Sequence, residues 1–508
     1  MQGESKLPVL PKNFCLTIVL LALTLLAPLR PTAAAPDNLV WWPYLQQMTD
    51  TSLIILWTTR TGATPVVRYA TDTGYSQQAT GTTRPTPLNT HMHRVELNGL
   101  QPNTRYYYKI YVDEEDLLPD QTLSFQTAPP PGSDTPFSFI AFGDYGNDTA
   151  SQRRLRDQMI RDSFRFILTT GDNTYENGAY REFDTNVFQI YPTLFSRVPL
   201  FPILGNHDYY ADLAASYLDI FDLPPNAWRS QDRERYYSFD YGNVHVVALD
   251  TDRPMWVDDA VADDDIFDWL RYDLAHTTQR WKIVAMHVPA YSTGFHRRDS
   301  ELISQPKLPR IFVAYGVDLV LSGHDHTYQR SYPLRGGQIT PSAQGGVVYV
   351  VSGAGAAASY PCEQADWLAT AYCSRTYGLY SRITVNGNTL QVEAIDEQSL
   401  IRDSFTITKP LDIPLTELDL DGPSGGQLNT GQTFVASASP ITVTLPLTYV
   451  WRAEAQPLIS QWSGLGSTGS FTWTIPGTYE VTVTATDPQG NTVSGHHTIG
   501  ITNTTTLP

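Results

Sequence analysis

"PFSFIAFGDYG" (136–146) runs an apolar stretch straight into a glycine and an aspartate. A short apolar run bounded by turn residues is the pattern of a buried strand, and the glycine lets the chain bend sharply as the strand ends. The pattern recurs in "FRFILTTGDNTY" (164–175), "LFPILGNHD" (200–208), "WKIVAMHVP" (281–289) and "VDLVLSGHDH" (317–326). Each strand delivers polar residues at its exit. In parallel-type sheets such exits converge on one rim, where ligands bind. One such motif is weak; the whole ordered series points to a single built site.

Between these strands lie helical stretches, among them "DTASQRRLRDQMIRDS" (148–163), with a capping Asp or Thr at its start, and "DIFDWLRYDLAHTT" (265–278). Further strands are expected at "YYSFDYGNVHVVALD" (236–250), "GGVVYVVSG" (345–353) and "LYSRITVNGNTLQVEAID" (379–396). Sheets flanked by helices follow from that mixture. The acidic run "DDAVADDD" (258–265) lacks the glycine and final glutamate of a calcium loop and reads as a solvated segment.

The chain around this core is long and multidomain. At 508 residues it exceeds one ordinary core, and 41% hydrophobic with 17% charged residues is globular composition. A net charge of −18 argues against a nucleic-acid partner, whose affinity comes mainly from Lys and Arg on phosphates. Small phosphorylated substrates stay open, because metal ions reverse the local field. Lys6 and Lys12, the apolar run "FCLTIVLLALTLLAPL" (14–29) and "RPTAAAP" (30–36) read as a signal peptide over 1–35. An exported product, secreted or in the cell envelope or periplasm and with no membrane span after signal removal, is therefore expected. Cys362 and Cys373 then form the candidate disulfide.

Residues 36–128 carry short alternating strands, including "SLIILWTT" (52–59) with Trp57 and "LQPNTRYYYKI" (100–110). This stretch resembles a fibronectin type III domain. His91 and His93 fall on one strand face and are read as surface residues. A proline-rich linker (129–136) leads to the domain at 137–408 that carries the strand-exit motifs. After a second linker (409–428), residues 429–502 contain "PGTYEVTVTATDPQGN" (476–491) and resemble a PKD-type immunoglobulin-like domain, before a tail at 503–508. Contact with a polymer or cell surface is the role left open for that domain. "NDT" (147–149) and "NTT" (503–505) are glycosylation sequons.

Asp144, Asp172, Tyr175, Asn206, His287, His324 and His326 are the side chains at the strand exits. A single zinc ion takes only three or four such ligands. With one carboxylate bridging, the set offers four bonds to each of two ions, the clamp used in phosphoryl chemistry. Phenolate, carboxylates and an imidazole suit a hard trivalent ion such as Fe(III), whereas an amide oxygen with two imidazoles suits a divalent one.

The five blocks G-D-x-G, G-D-x-x-Y, G-N-H-D, V-x-x-H and G-H-x-H resemble those of purple acid phosphatases, within the calcineurin-like metallophosphoesterases. The resemblance covers residues 39–408, and Gly146 and Tyr175 are its most specific elements. It implies an α/β four-layer sandwich core, here flanked by two all-β sandwich domains. It implies Asp144, Asp172, Tyr175 and His326 on Fe(III), Asp172 bridging, and Asn206, His287 and His324 on a divalent Zn, Fe or Mn. His207 takes the place of the acid that protonates the leaving oxygen, with Asp208 as its expected partner, and His296 that of a second substrate-facing histidine. Asp325 is read as a spacer pointing away. The activity implied is hydrolysis of phosphate monoesters by attack of a metal-bound hydroxide. A phosphodiesterase on the same scaffold and a non-catalytic exported binding or adhesion protein are the alternatives.

Overall fold

The computed structural model describes residues 37–252, 260–304, 307–373, 377–409, 414–440, 443–445, 447–488 and 490–503. The expected signal peptide lies outside them, as do parts of the acidic run and of the C-terminal sequon.

The strand-exit segments form two sheets. In the first, Phe137–Phe142 lies between Ile167–Thr169, parallel, and Leu379–Asn386, antiparallel, with Leu200–Phe201 parallel beyond Ile167–Thr169. In the second, Val244–Leu249, Trp281–Met286, Leu319–Ser322 and Val348–Ser352 run parallel in that order. Trp281–Met286 is buried at every position. Its lack of alternation follows from having both faces covered. Ile283, Leu319 and Leu321 share a core with Phe139, Ile140 and Ile167 of the first sheet. Val284 and Val320 face the other way, onto Trp269, Leu270 and Leu274 of helix Ala260–His276 and Phe312 of helix Leu308–Ala314. Helix Ala150–Arg161 puts Leu155 and Met159 into the core of the first sheet. Its capping residue is Thr149, whose Oγ1 accepts from the Gln152 N–H at 3.2 Å.

Lys282 stands inside this apolar strand, 2% exposed. Its ammonium donates to the carbonyls of Leu274, Tyr315 and Leu445 at 3.0–3.1 Å. Three donors meet three acceptors, which is what makes burial of the group tolerable. The bond to Leu445, just before strand Leu447–Ala453, also ties the C-terminal part of the chain to the second sheet.

Before the core, Leu39–Gln46, Ser52–Thr59, His91–Asn98 and Thr82–Pro85 form one antiparallel sheet, and a second is centred on Pro65–Ala70 and Arg105–Val112. Trp57, Val67, Leu97 and Tyr108 fill the space between them. The surface reading of His93 does not hold. Its ring is fully buried, between the hydroxyls of Thr59 at 2.6 Å and Thr83 at 2.8 Å. Burial, with His91 nearby, pushes it down to about 4, so it sits neutral and satisfied by two hydroxyls.

At the C-terminal end two further sheets enclose Phe434, Tyr449, Trp451, Phe471 and Trp473. The expected linker at 409–428 is partly structured. Glu417–Asp421 pairs with Gln432–Ser439, and Gly425–Gln427 pairs with Thr492–Thr502. "ELDLD" alternates exposed and buried as half-buried strands do.

Candidate metal centre

The ends of the parallel strands of both sheets meet at one place. Asp144 N–H donates to the Gly171 carbonyl, joining two exits of the first sheet, and Gly323 N–H donates to the His287 carbonyl, joining two of the second. His287 Nδ1 reaches across to the Thr170 carbonyl at 2.7 Å. The turns are tight. Asp144, Asp172 and His324 have φ of 58°, 48° and 68°, left-handed values that ordinary residues rarely adopt. Strained, fully packed positions of this kind cluster at functional sites. A Cβ on Gly146 would overlap the Asn173 carbonyl, and one on Gly205 would overlap the Asp172 backbone. That explains glycine at both turns.

Two groups of donors share Asp172. Its Oδ2 lies 3.1 Å from the Tyr175 hydroxyl, which is 3.1 Å from His326 Nε2 and 3.3 Å from Asp144 Oδ1. Its Oδ1 lies 3.4 Å from His287 Nε2. Asn206 Oδ1 stands 3.1 Å from that nitrogen and 3.0 Å from His324 Nδ1. Ligands about 2.1 Å from an ion and at right angles to one another stand about 3 Å apart. Both groups have that spacing.

The remaining atom of each ring is committed elsewhere. His287 Nδ1 donates to Thr170 O, His326 Nδ1 to Ala358 O at 2.8 Å, and His324 Nε2 to the Asp299 carboxylate at 3.0 Å. Metal-ligating histidines are held in this way. The Asn206 amide is fixed by Nδ2 donating to the Tyr210 hydroxyl at 2.8 Å, which turns Oδ1 inward.

Charge leads to the same reading. Asp144 and Asp172 are 0% and 1% exposed, and among the described residues they pair with histidines and not with Lys or Arg. Burial works against ionised Asp172, yet His287 and His207 together carry it below the usual carboxylate range. Burial also works against a charged His287 ring, but Asp172, Asp252 and Asp144 raise it well above its ordinary value. Burial, Asp172 and Asp144 push the Tyr175 phenol well up. A buried cluster of two carboxylates and a phenol calls for positive charge, and the donor set fits a pair of cations.

His207 lies beside the cluster. Its ring is 4.4 Å from that of Tyr175, and Nδ1 donates to the Glu176 carbonyl at 2.6 Å. Nε2, 3.9 Å from Asp172 Oδ2, is turned toward the site. Asp208 is not its partner. That carboxylate is fully buried and accepts from Gly205 N–H and Asn173 Nδ2 at 2.9 Å, bracing two strand exits against each other. Burial and nearby Asp172 push it up to about 8. His296 is at the rim, its ring 4.5 Å from that of His324. Cys362 and Cys373 are joined in a disulfide. Tyr360, two residues before Cys362, stacks on His326 with ring centroids 4.5 Å apart.

Asp325 does point away from the donors, but it is no idle spacer. It is fully buried and accepts from Ser292 Oγ and from the His296 N–H. The strand-exit pattern does not reveal Asp299, which lies on a short helical turn, Arg297–Asp299, well past its strand; it places Asp325 at an exit without showing what its carboxylate holds.

The chain is similar to known proteins over the same segments. The sequence profile of calcineurin-like phosphoesterases matches residues 137–328, and that of the purple acid phosphatase N-terminal domain matches 43–127. Purple acid phosphatase 21 of Arabidopsis thaliana is 29% identical over 52% of this chain and 58% of its own length. Probable inactive purple acid phosphatase 1 of the same plant is 24% identical over 63% of this chain and 58% of its own. The chain thus spans little more than half the length of these relatives. Among solved structures, a purple acid phosphatase from yellow lupin (Lupinus luteus) seeds superposes with a TM-score of 0.62 at 21% identity, covering 74% of this chain and 75% of that one. At that identity the likeness is one of fold.

Proposed function

The chain belongs to the purple acid phosphatase family of calcineurin-like metallophosphoesterases, and from that premise we propose that it is a dinuclear-metal phosphatase hydrolysing phosphate monoesters. The observation that carries the reading is the sharing of Asp172, whose two oxygens face two separate donor groups. Asp144, Tyr175 and His326 would hold one ion with Asp172, and Asn206, His287 and His324 the other. A hard Fe(III) in the first position and a divalent Zn, Fe or Mn in the second suit those donors. The two ions supply charge neutralisation at the phosphate and the acidification of water that makes it a nucleophile. We read the core as a four-layer α/β sandwich. Export is the accompanying proposal, supported by the Cys362–Cys373 disulfide, which belongs to an oxidising compartment.

The side chains divide the remaining work. His207 donates Nδ1–H to Glu176 O, so in the protonated ring Nε2–H is left to face the departing oxygen. His296, with its ring 4.5 Å from that of His324, would supply a second donor to the phosphate oxygens. Tyr360, stacked on His326, covers that ring on its outer face. No side-chain nucleophile is required.

The test compares initial rates on an aryl phosphate monoester and the matching diester, with and without a strong chelator. The monoester should be preferred and chelation should abolish the rate. Preference for the diester would assign the scaffold to phosphodiester chemistry. Hydrolysis that survives full metal removal would refute the proposal.

A further inference from the structure

Two of the three ligand-set imidazoles are braced by backbone carbonyls, His287 by that of Thr170 and His326 by that of Ala358. His324 is different. Its outward nitrogen donates to a carboxylate, Asp299, which is about a third exposed and comes from another segment. The same carboxylate oxygen lies 3.4 Å from His296 Nδ1. Segment 291–299 therefore carries both the brace of His324 and the rim histidine. It has no strand of its own: residues 291–296 follow a bend path and end in the Arg297–Asp299 turn.

That segment hangs on Asp325. The Asp325 carboxylate accepts from the Ser292 hydroxyl through Oδ2 and from the His296 N–H at 2.9 Å through Oδ1. Ser292 Oγ in turn accepts from Gly294 N–H and Gln329 Nε2 at 3.0 Å. Gln329 Oε1 accepts from both the N–H and the hydroxyl of Thr293 at 2.8 and 2.9 Å. A Cβ on Gly294 would overlap the Asp325 carboxylate, so the backbone is laid directly on it. Asp325, Gln329, Ser292 and Thr293 are all buried. A fully satisfied buried polar network fixes one conformation and makes its members act together.

We propose that Asp299 is a positioning residue for the second ion, orienting His324 through its Nε2–H, and that Asp325, between the two ligand histidines, positions Asp299 and His296 by anchoring segment 291–299. The proposal rests on the dinuclear reading above. It makes "GHDH" (323–326) a unit in which the flanking histidines face the donor groups and the middle aspartate holds the loop that locks one of them. The outer carboxylate also sets the tautomer of His324, leaving Nδ1 unprotonated on the side of Asn206.

The experiment uses the full chain, cleared of its second ion by a mild chelator and titrated with Co(II), whose visible absorption reports occupancy. Asp299→Ala should weaken Co(II) binding by about tenfold or more, the size expected for loss of such a partner. Asp299→Asn should fall nearer the unaltered protein, because its amide oxygen still accepts from Nε2–H. Asp325→Ala should weaken Co(II) by a similar factor although Asp299 is intact, and the double variant should be no worse than either single one, as residues acting through one path are not additive. The iron–tyrosinate absorption of the first position should stay unchanged throughout. If Asp325→Ala does not fold, Ser292→Ala removes one of the two anchoring donors and should weaken Co(II) in the same direction. Binding within twofold of the unaltered protein in Asp299→Ala, no change in either anchor variant, or additive losses in the double variant would overturn the proposal. If the unaltered chain takes up no Co(II), the dinuclear reading itself fails, which is a distinct outcome.

Discussion

Removing the His207 imidazole should slow hydrolysis by an amount set by the leaving group. The ring's Nδ1 is committed to Glu176 O, so its catalytic capacity lies in a single proton on Nε2. General acid catalysis by one positioned group contributes about 10²- to 10⁴-fold. The His207 side chain is 23% exposed, so water can reach the same position when the ring is removed. That places the loss toward the lower end, about 10²-fold in kcat, or about 2.7 kcal/mol of barrier. It applies to an alkyl phosphate, whose alkoxide must be protonated as it departs. A nitrophenyl phosphate releases nitrophenolate, a stable anion that needs no proton as it departs, and should lose no more than about tenfold in His207→Ala. The assay is kcat for both esters in the unaltered and His207→Ala proteins, with metal content matched. Equal losses on the two esters would refute the acid role and leave His207 with positioning alone.

Other parts of the chain give further expectations. His326→Ala should strip the first ion, while His324→Ala should strip the second, read by elemental analysis after dialysis. His245 is buried, with Asp240 and Asp273 each 2.7 Å from one ring nitrogen. Burial alone would lower it, but those two hydrogen bonds raise it from 6.5 to about 9. Its contribution, at most about 3 kcal/mol, is fully present below pH about 6.5 and lost as the pH rises to about 9. Denaturant unfolding of His245→Gln against the unaltered protein should therefore differ most at low pH, and a constant difference across that range would contradict the assignment. Replacing Cys362 and Cys373 by Ser opens an 11-residue separation and should cost about 3 kcal/mol by the loop-entropy relation, measured on the same unfolding curves.

What the sequence makes legible follows physical reach. Buried parallel strands announce themselves as unbroken apolar runs, and the residue after each run lands on the rim, which is how Asp144, Asp172, Asn206, His287 and His324 are found together. Relations across the rim are not periodic and leave no such trace. Asp208 follows His207 directly, but successive residues on a helical turn point about 100° apart, so its carboxylate meets Asn173 and not the His207 ring. Asp325 contacts Ser292 across 33 positions of chain, through a loop whose path no pattern predicts. The burial of His93 leaves no trace for a related reason: the hydroxyls of Thr59 and Thr83 that make it tolerable come from the two neighbouring strands. The strand at Glu417–Asp421 shows in its alternation, but the prolines and glycines on either side of it, Pro410, Pro414, Gly422 and Pro423, give the stretch the composition of a linker.

The most direct test of the central claim is metal stoichiometry together with the visible spectrum of the full-length protein. Two ions per chain are predicted, with a charge-transfer band that Tyr175→Phe abolishes while both aspartates remain. A catalytically competent chain holding one ion or none, or a band that persists in Tyr175→Phe, would contradict it.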